Sequence, residues 1–212
     1  MSLFEEKPDI QKHPNYQSIL SIGEEVINPE ELNDLLNNKP DIVAYDGFEP
    51  SGRMHLAQGL LRAHNVNKFT NAGVKFKFWV ADWFALMNLK LGGDLKKIQN
   101  AGKLMIETWK ACGMNLDNVE FIWSSDEINK RSDEYLKIVL DIATTFNLSR
   151  IKKCTQIMGR EESDDLAASQ IFYPVMQAAD VFFLNVDICS LGMDQRKVNM
   201  LCREYSKKSK RK

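Results

Sequence analysis

The sequence predicts an α/β protein built on a parallel sheet flanked by helices. Three observations carry that reading. Strand-like and helix-like stretches alternate through most of residues 42–205, the pattern of a sheet whose crossovers are helical. The strand-like stretches are short and apolar, as strands covered on both faces are. Glycine turns follow several of them, at the strand ends where such sheets bind ligands.

The elements follow in order. Residues 1–40 read as a polar, helix-prone N-terminal extension. Within it NPEELNDLLNN is a helix with Asn28 as cap, Pro29 in the first turn and acids behind it. DIVAYDG is a short buried strand running into a glycine turn. HLAQGLLRAHNVNKFTNAG carries apolar residues at helical spacing and stops on Gly73. VKFKFWVADWFAL alternates and then turns wholly apolar, as a central strand would. GGDLKKIQNAGKLMIETWKACG sets Leu95, Ile98, Met105 and Trp109 on one helix face, with Asp94 as cap and Gly113 as stop. VEFIWSS is a strand, and SDEYLKIVLDIATTF a helix capped by Ser132. DDLAASQIF and YPVMQAAD are helices on either side of Pro174. VFFLNVDI is a strand, MDQRKVNMLCREY the last helix, and residues 206–212 a basic tail.

Composition narrows the function classes. A chain of 212 residues buries one sizeable core with a small appendage. A formal net charge of −1 argues against a globally basic nucleic-acid binder, while leaving room for a local basic groove. No stretch approaches the ~18 apolar residues of a membrane span, so no membrane partner is expected. The opening MSLFEEKPDIQKH lacks an apolar signal core, so a cytoplasmic location is expected. Cys112, Cys154, Cys189 and Cys202 form no C-x-x-C pair. They read as reduced thiols without a zinc site.

Three motifs carry chemistry. In YDGFEPSGRMHLAQG, Gly47 lets backbone approach a ligand closely, and His55 falls at a helix N-terminus, where free N–H groups and the dipole favour anions. The arrangement suits stabilisation of phosphate charge; a plain glycine turn with a surface histidine fits the same letters. In FYPVMQAAD, Tyr173, Gln177 and Asp180 are spaced i, i+4 and i+7, within an arc of roughly 60°. A phenol, an amide and a carboxylate thus share one stripe of an otherwise apolar helix. That suits a ligand with its own hydroxyl and amine, and equally a solvated helix face. In LGMDQRK, Gly192 marks a strand-end turn, and Asp194 either caps the last helix or meets ribose hydroxyls. Gln195 offers an amide beside it.

Together these stretches resemble the catalytic domain of the tyrosyl-tRNA synthetases of the eukaryotic and archaeal branch, over about residues 40–205. HLAQ, His55–Gln58, stands where that class I family has its His-Ile-Gly-His signature, with Ala57 for the glycine and no second histidine. ADWFA, Ala81–Ala85, is similar to the family's Ala-Asp-x-His-Ala, with Phe84 for the histidine. The resemblance implies a Rossmann-like core and an enzyme that activates L-tyrosine with ATP and Mg2+ and charges tRNA(Tyr). It implies that Tyr45 packs on the amino acid, Tyr173 and Gln177 hold its ammonium, Asp180 accepts from its phenol, and Gln195 adds a contact. Gly47, Phe48, His55, Ala57, Gln58, Gly192, Met193 and Asp194 would serve ATP, with His55 catalytic and no metal ligand among the side chains.

The domain expectation is an extension over 1–40, a catalytic domain over 41–205 with a connective, homodimerising region at 113–150, and no anticodon-binding domain. KKSKR, Lys207–Arg211, shares a Lys-x-Ser-Lys skeleton with the family's lysine-serine loop but reads as a solvated tail. The alternatives are a tryptophanyl-type enzyme, which the Asp180 carboxylate disfavours, another Rossmann-like nucleotidyl transferase, and a non-catalytic paralogue serving as a binding module.

Overall fold

Four strands line up in the order β3–β2–β1–β4, every neighbouring pair parallel. The computed structural model describes residues 12–52, 54–155 and 166–209. The strands are β1 (Val43–Phe48), β2 (Lys75–Val80), β3 (Val119–Trp123) and β4 (Ile188–Cys189). The helices are α1 (Tyr16–Leu20), α2 (Pro29–Asn38), α3 (Leu56–Asn71), α4 (Asp82–Met87), α5 (Leu95–Ala111), α6 (Ser124–Lys130), α7 (Ser132–Thr145), α8 (Leu148–Lys152), α9 (Ala168–Phe183) and α10 (Arg196–Ser209). The alternation read from the sequence is therefore a Rossmann-like sheet. Because β2 and β3 lie on one side of β1 and β4 on the other, the order reverses at β1, which puts the ligand crevice beyond the carboxyl ends of β1 and β4.

The sheet divides two apolar cores. On one face Tyr45 and Trp79 pack with Ile138 and Ile142 of α7 and with Ala178, Ala179 and Phe183 of α9. On the other Ala44, Phe76 and Phe78 pack with Val66 and Phe69 of α3 and Trp109 of α5. Phe78, Trp109 and Phe121 form a cluster of near-parallel rings, with centroids 4.8, 5.1 and 6.2 Å apart. The polar residue in the middle of β2 is satisfied: Lys77 Nζ donates to the carbonyl of Leu184 at 2.9 Å, just past the end of α9, where the helix dipole favours a cation.

Local signals place most elements. Asn28 Oδ1 accepts from Glu31 N, and Asp94 Oδ1 from Lys97 N at 3.1 Å, so both act as the caps the sequence predicts. Gly73 and Gly113 take φ of +80° and +84° just past α3 and α5, a conformation that costs other residues.

Several expectations are corrected. The apolar run after Val80 is not strand: Asp82–Met87 forms α4, because Asp82 anchors a turn there. Ser124 and Ser125 start α6 rather than ending β3. Arg131, not Ser132, sits at the α7 N-cap, without a side-chain cap bond. The two helices expected around Pro174 are one helix, whose packing into the core outweighs the single lost N–H. Val181–Phe183 ends that helix, and only Ile188–Cys189 pairs in the sheet; aromatic and β-branched residues look like strand, but burial on all sides selects them in a helix too. Asp194 lies in a 3₁₀ turn, Met193–Gln195, before α10 and does not cap it. α10 runs on to Ser209, so part of the expected tail is helix. Lys210–Lys212, residues 1–11, and the Asp164–Asp165 start of the stretch before α9 lie outside the described residues.

The N-terminal segment is tied to α10. Arg196 donates to both carboxylate oxygens of Glu25, at 2.7 and 3.0 Å, and Arg203 to Glu31 at 2.9 Å. Such exposed pairs contribute little stability each. They do set α1 and α2 beside α10 at the rim of the crevice.

Candidate active site

A cleft of about 1330 Å3 opens between the N-terminal segment, α3 and α10 and reaches the carboxyl ends of β1 and β4; Tyr45, His55, Tyr173, Gln177, Asp180, Asp194 and Gln195 are not in its lining. Phe48, Gly52, Gln58 and Arg62 line it from β1 and α3, and Ser190, Gly192 and Met193 from the segment after β4. Phe48 is held there edge-on to Trp109, centroid to centroid 4.7 Å. His55 occupies the N-cap of α3 in an extended conformation, φ −69° and ψ 138°, and its side chain makes no cap bond. The first-turn N–H groups of a sixteen-residue helix therefore remain available beside an exposed imidazole, which is an arrangement for anions. Ala57 and Gln58 stand exposed in that first turn.

The α9 stripe is buried, not solvated. Tyr173, Gln177 and Asp180 are 8%, 7% and 1% exposed. Tyr45 reaches the same region from β1, and its hydroxyl folds back over Gly47: a β-carbon at 47 would stand 2.8 Å from that oxygen. This close approach, not a positive φ, is why glycine is needed there. Phe84 packs edge-on to Tyr173 with centroids 5.1 Å apart and backs the stripe from α4.

Asp180 is the only carboxylate on that buried stripe. Its Oδ1 accepts from the Tyr135 hydroxyl at 2.8 Å. Its Oδ2 has no hydrogen-bond partner among the described residues, and neither does the nearby Trp79 Nε1. Burial pushes the carboxyl well above its ordinary range, against smaller opposing pulls from Tyr135 and Trp79. Burial, then the charge of Asp180, pushes the Tyr45 phenol up as well. A buried carboxylate oxygen without a donor is costly, and a ligand hydroxyl is the kind of group that relieves it.

A second polar chain runs beside the first. The Tyr173 hydroxyl donates to Glu49 Oε1 at 2.5 Å. Gln177 Nε2 donates to Gln195 Oε1 at 2.9 Å, and Gln195 Nε2 to Asp194 Oδ2 at 2.8 Å. Five of the amino-acid and nucleotide candidates read from sequence (Tyr173, Gln177, Asp180, Asp194 and Gln195) thus sit in one neighbourhood. His55 and Gln58 stand apart, on the α3 side.

Four participants were not legible in the sequence. Glu49 sits in the glycine loop as an ordinary acid. Tyr135 is the one polar-tipped member of the apolar stripe Tyr135–Ile138–Ile142, which is the signal that could have found it. Asp46 is buried against Arg62, and burial first, with Asp194 adding to it against the guanidinium, raises it to about 6. Asp82, fully buried, accepts from Ser124 and Ser125 hydroxyls at 2.7 Å each and from Gln99 at 2.9 Å, so it fastens α4, α5 and α6 under the crevice.

The sequence profile of the class I tRNA synthetases (W and Y) matches residues 37–212. The chain belongs to that family. Among curated relatives, the cytoplasmic tyrosine–tRNA ligase 1 of Arabidopsis thaliana is 56% identical over 209 residues, which is 99% of this chain and 54% of that protein. Among solved structures, Leishmania major tyrosyl-tRNA synthetase in complex with tyrosinol superposes with a TM-score of 0.90 at 56% identity, over 93% of this chain and 29% of that one. The Pyrococcus horikoshii tyrosyl-tRNA synthetase complexed with L-tyrosine gives 0.83 at 36% identity, over 92% and 53%. The chain spans about half the length of the Arabidopsis relative. No helix among its described residues is long and apolar enough to cross a membrane.

Proposed function

We propose that this chain carries the catalytic core of a tyrosine–tRNA ligase. The observation that carries the reading is Asp180, on the Tyr45 face of the sheet: one oxygen is held by Tyr135, and the other is buried with no hydrogen bond formed to it, the Trp79 indole N–H lying near but unbonded. A substrate phenol supplies the missing donor, and phenylalanine leaves it missing. A site built to hydrogen-bond a hydroxyl rejects the analogue that lacks it, and tyrosyl-tRNA synthetases are themselves the standard example of that rule. An indole N–H is longer and differently aimed, and the relatives named above are tyrosine enzymes.

In this reading Tyr45 packs on the substrate ring, while Tyr173, Gln177 and Gln195 surround its ammonium. ATP lies in the cleft, its ribose by Gly192, Met193 and Asp194, its adenosine against Gly47 and Phe48, and its phosphates toward His55, Ala57 and Gln58. Phe48, Gln58, Gly192 and Met193 in the lining of the cleft, and the α3 N-terminus at His55, support that assignment. Mg2+ enters as the metal complex of the ATP phosphates. A tyrosine carboxylate oxygen then attacks the α-phosphorus, the bond to the bridging oxygen breaks, and pyrophosphate leaves with that oxygen. The tyrosyl group passes from the adenylate to a terminal ribose hydroxyl of tRNA(Tyr). The side chains position and stabilise charge, and none forms a bond to substrate.

The same reading takes residues 1–40 as an extension and 41–205 as the catalytic domain, in the cytoplasm. It takes 113–150 as a homodimer contact, which the exposed Leu136, Leu140 and Leu148 support. The test is tyrosine-dependent exchange of labelled pyrophosphate into ATP by the full-length protein, with calorimetric binding of L-tyrosine to the 212-residue chain. Exchange with tryptophan in place of tyrosine would overturn the assignment.

A further inference from the structure

We infer that Glu49 is a positioning residue for the substrate ammonium, acting through Tyr173. The inference rests on the proposed tyrosine site and adds a residue to it. The groups placed around the ammonium, Tyr173, Gln177 and Gln195, are all neutral, yet a charge moved into a buried pocket needs either a countercharge or several well-aimed acceptors. Their orientation is set from outside. Glu49 is acceptor-only when ionised, so the Tyr173 proton goes to it, at 2.5 Å, and the phenol oxygen keeps its lone pairs for a donor. Asp194 does the same for the amides. It can only accept, so Gln195 turns its NH2 toward it, and Gln195 Oε1 takes the NH2 of Gln177. The carbonyl of Gln177 is then the end that points elsewhere. Both chains end on carboxylates, so the Tyr173 phenol and the Gln177 amide are each left with an oxygen as the acceptor end. That polarity fits a cation and repels an anion.

Glu49 is well held for this work. Asn88 Nδ2 reaches both of its oxygens at 3.2 Å, and its side chain is 17% exposed. Lys90 Nζ stands 3.6 Å away and competes for the same carboxylate, its pull weakened but not abolished by water at 38% exposure. Removing Lys90 leaves the Glu49 charge more fully on the Tyr173 hydroxyl.

The test compares L-tyrosine with 3-(4-hydroxyphenyl)propanoate, which lacks only the amine, by calorimetric titration of the full 212-residue chain. Glu49→Gln is expected to weaken tyrosine about tenfold or more, the scale of one charge-assisted hydrogen bond, and to leave the amine-free analogue within about twofold. In a Tyr173→Phe background the same change is expected to add less than about twofold, because the hydroxyl it acts through is gone. Lys90→Ala, a surface change, is expected to tighten tyrosine about twofold without altering the analogue. Equal weakening of both ligands by Glu49→Gln, or no tightening by Lys90→Ala should the first variant fold poorly, overturns the inference while the tyrosine site stands. A wild-type chain that binds neither ligand takes down both.

Discussion

The hydroxyl of Tyr135 donates to Asp180 at 2.8 Å and joins α7 to α9 below the sheet. Tyr135 is 4% exposed, so no solvent replaces the bond. Tyr135→Phe removes the hydrogen bond that holds Asp180 Oδ1 and leaves only the weaker pull of the Trp79 indole. We expect a loss of about 1–3 kcal/mol in urea unfolding, together with weaker tyrosine binding, because the unpaired acid then favours its protonated form. An unchanged unfolding midpoint would mean that the bond contributes nothing.

Asp46 gives the protein a pH dependence of defined sign. Its carboxyl rises from 3.8 to about 6 on folding, chiefly through burial. The folded state therefore holds a proton that the unfolded state has released, and this group's contribution is complete below pH 4 and lost as pH climbs through 6. The size is roughly 3 kcal/mol for a shift of that order. Asp46→Asn should remove that share. The difference in melting temperature between variant and wild type, followed from pH 4 to 7, should grow in the variant's favour, and a flat difference would refute the assignment.

Gly47→Ala places a β-carbon 2.8 Å from the Tyr45 hydroxyl. The ring is buried between α9 and the sheet and cannot swing clear without disturbing both. We expect about 1–3 kcal/mol of destabilisation and weaker tyrosine binding, read by urea unfolding and calorimetric titration. Undiminished stability and tyrosine affinity would show that the Tyr45 ring yields freely to a β-carbon.

Asp82→Ala removes an acceptor used by five donors: the Trp83 and Ser125 amides, the Ser124 and Ser125 hydroxyls and the Gln99 amide. All five lose a partner at once, in a site with no exposure. We expect more than about 3 kcal/mol of lost stability, enough to depress soluble yield. A variant that melts within a few degrees of wild type would show that the five donors find other partners.

How much of this was legible from sequence depends on range. Caps and stops act within four residues, so Asn28, Asp94, Gly73 and Gly113 could be read directly. The α9 stripe could be read because Tyr173, Gln177 and Asp180 share one helix. The partners could not. Glu49 lies 124 residues from Tyr173 and Tyr135 lies 45 from Asp180, distances over which letters alone carry no pairing. The misread of Val181–Ile188 as strand has a different cause. A helix buried on all sides loses the alternation of polar and apolar faces that separates the two periods, and Pro174 then invited a break that the packing overrides.

Neighbouring positions of β1 serve different compartments. Tyr45 belongs to the chamber under α7 and α9, and Asp46 faces Arg62 of α3 across the partition. Substitutions can therefore tune either chamber alone. Inserting or deleting a single residue upstream in that strand cannot, since the slip would exchange a ring for an acid on both sides together. Homologues with altered spacing between Ile42 and Gly47 should accordingly be far rarer than homologues with altered letters there.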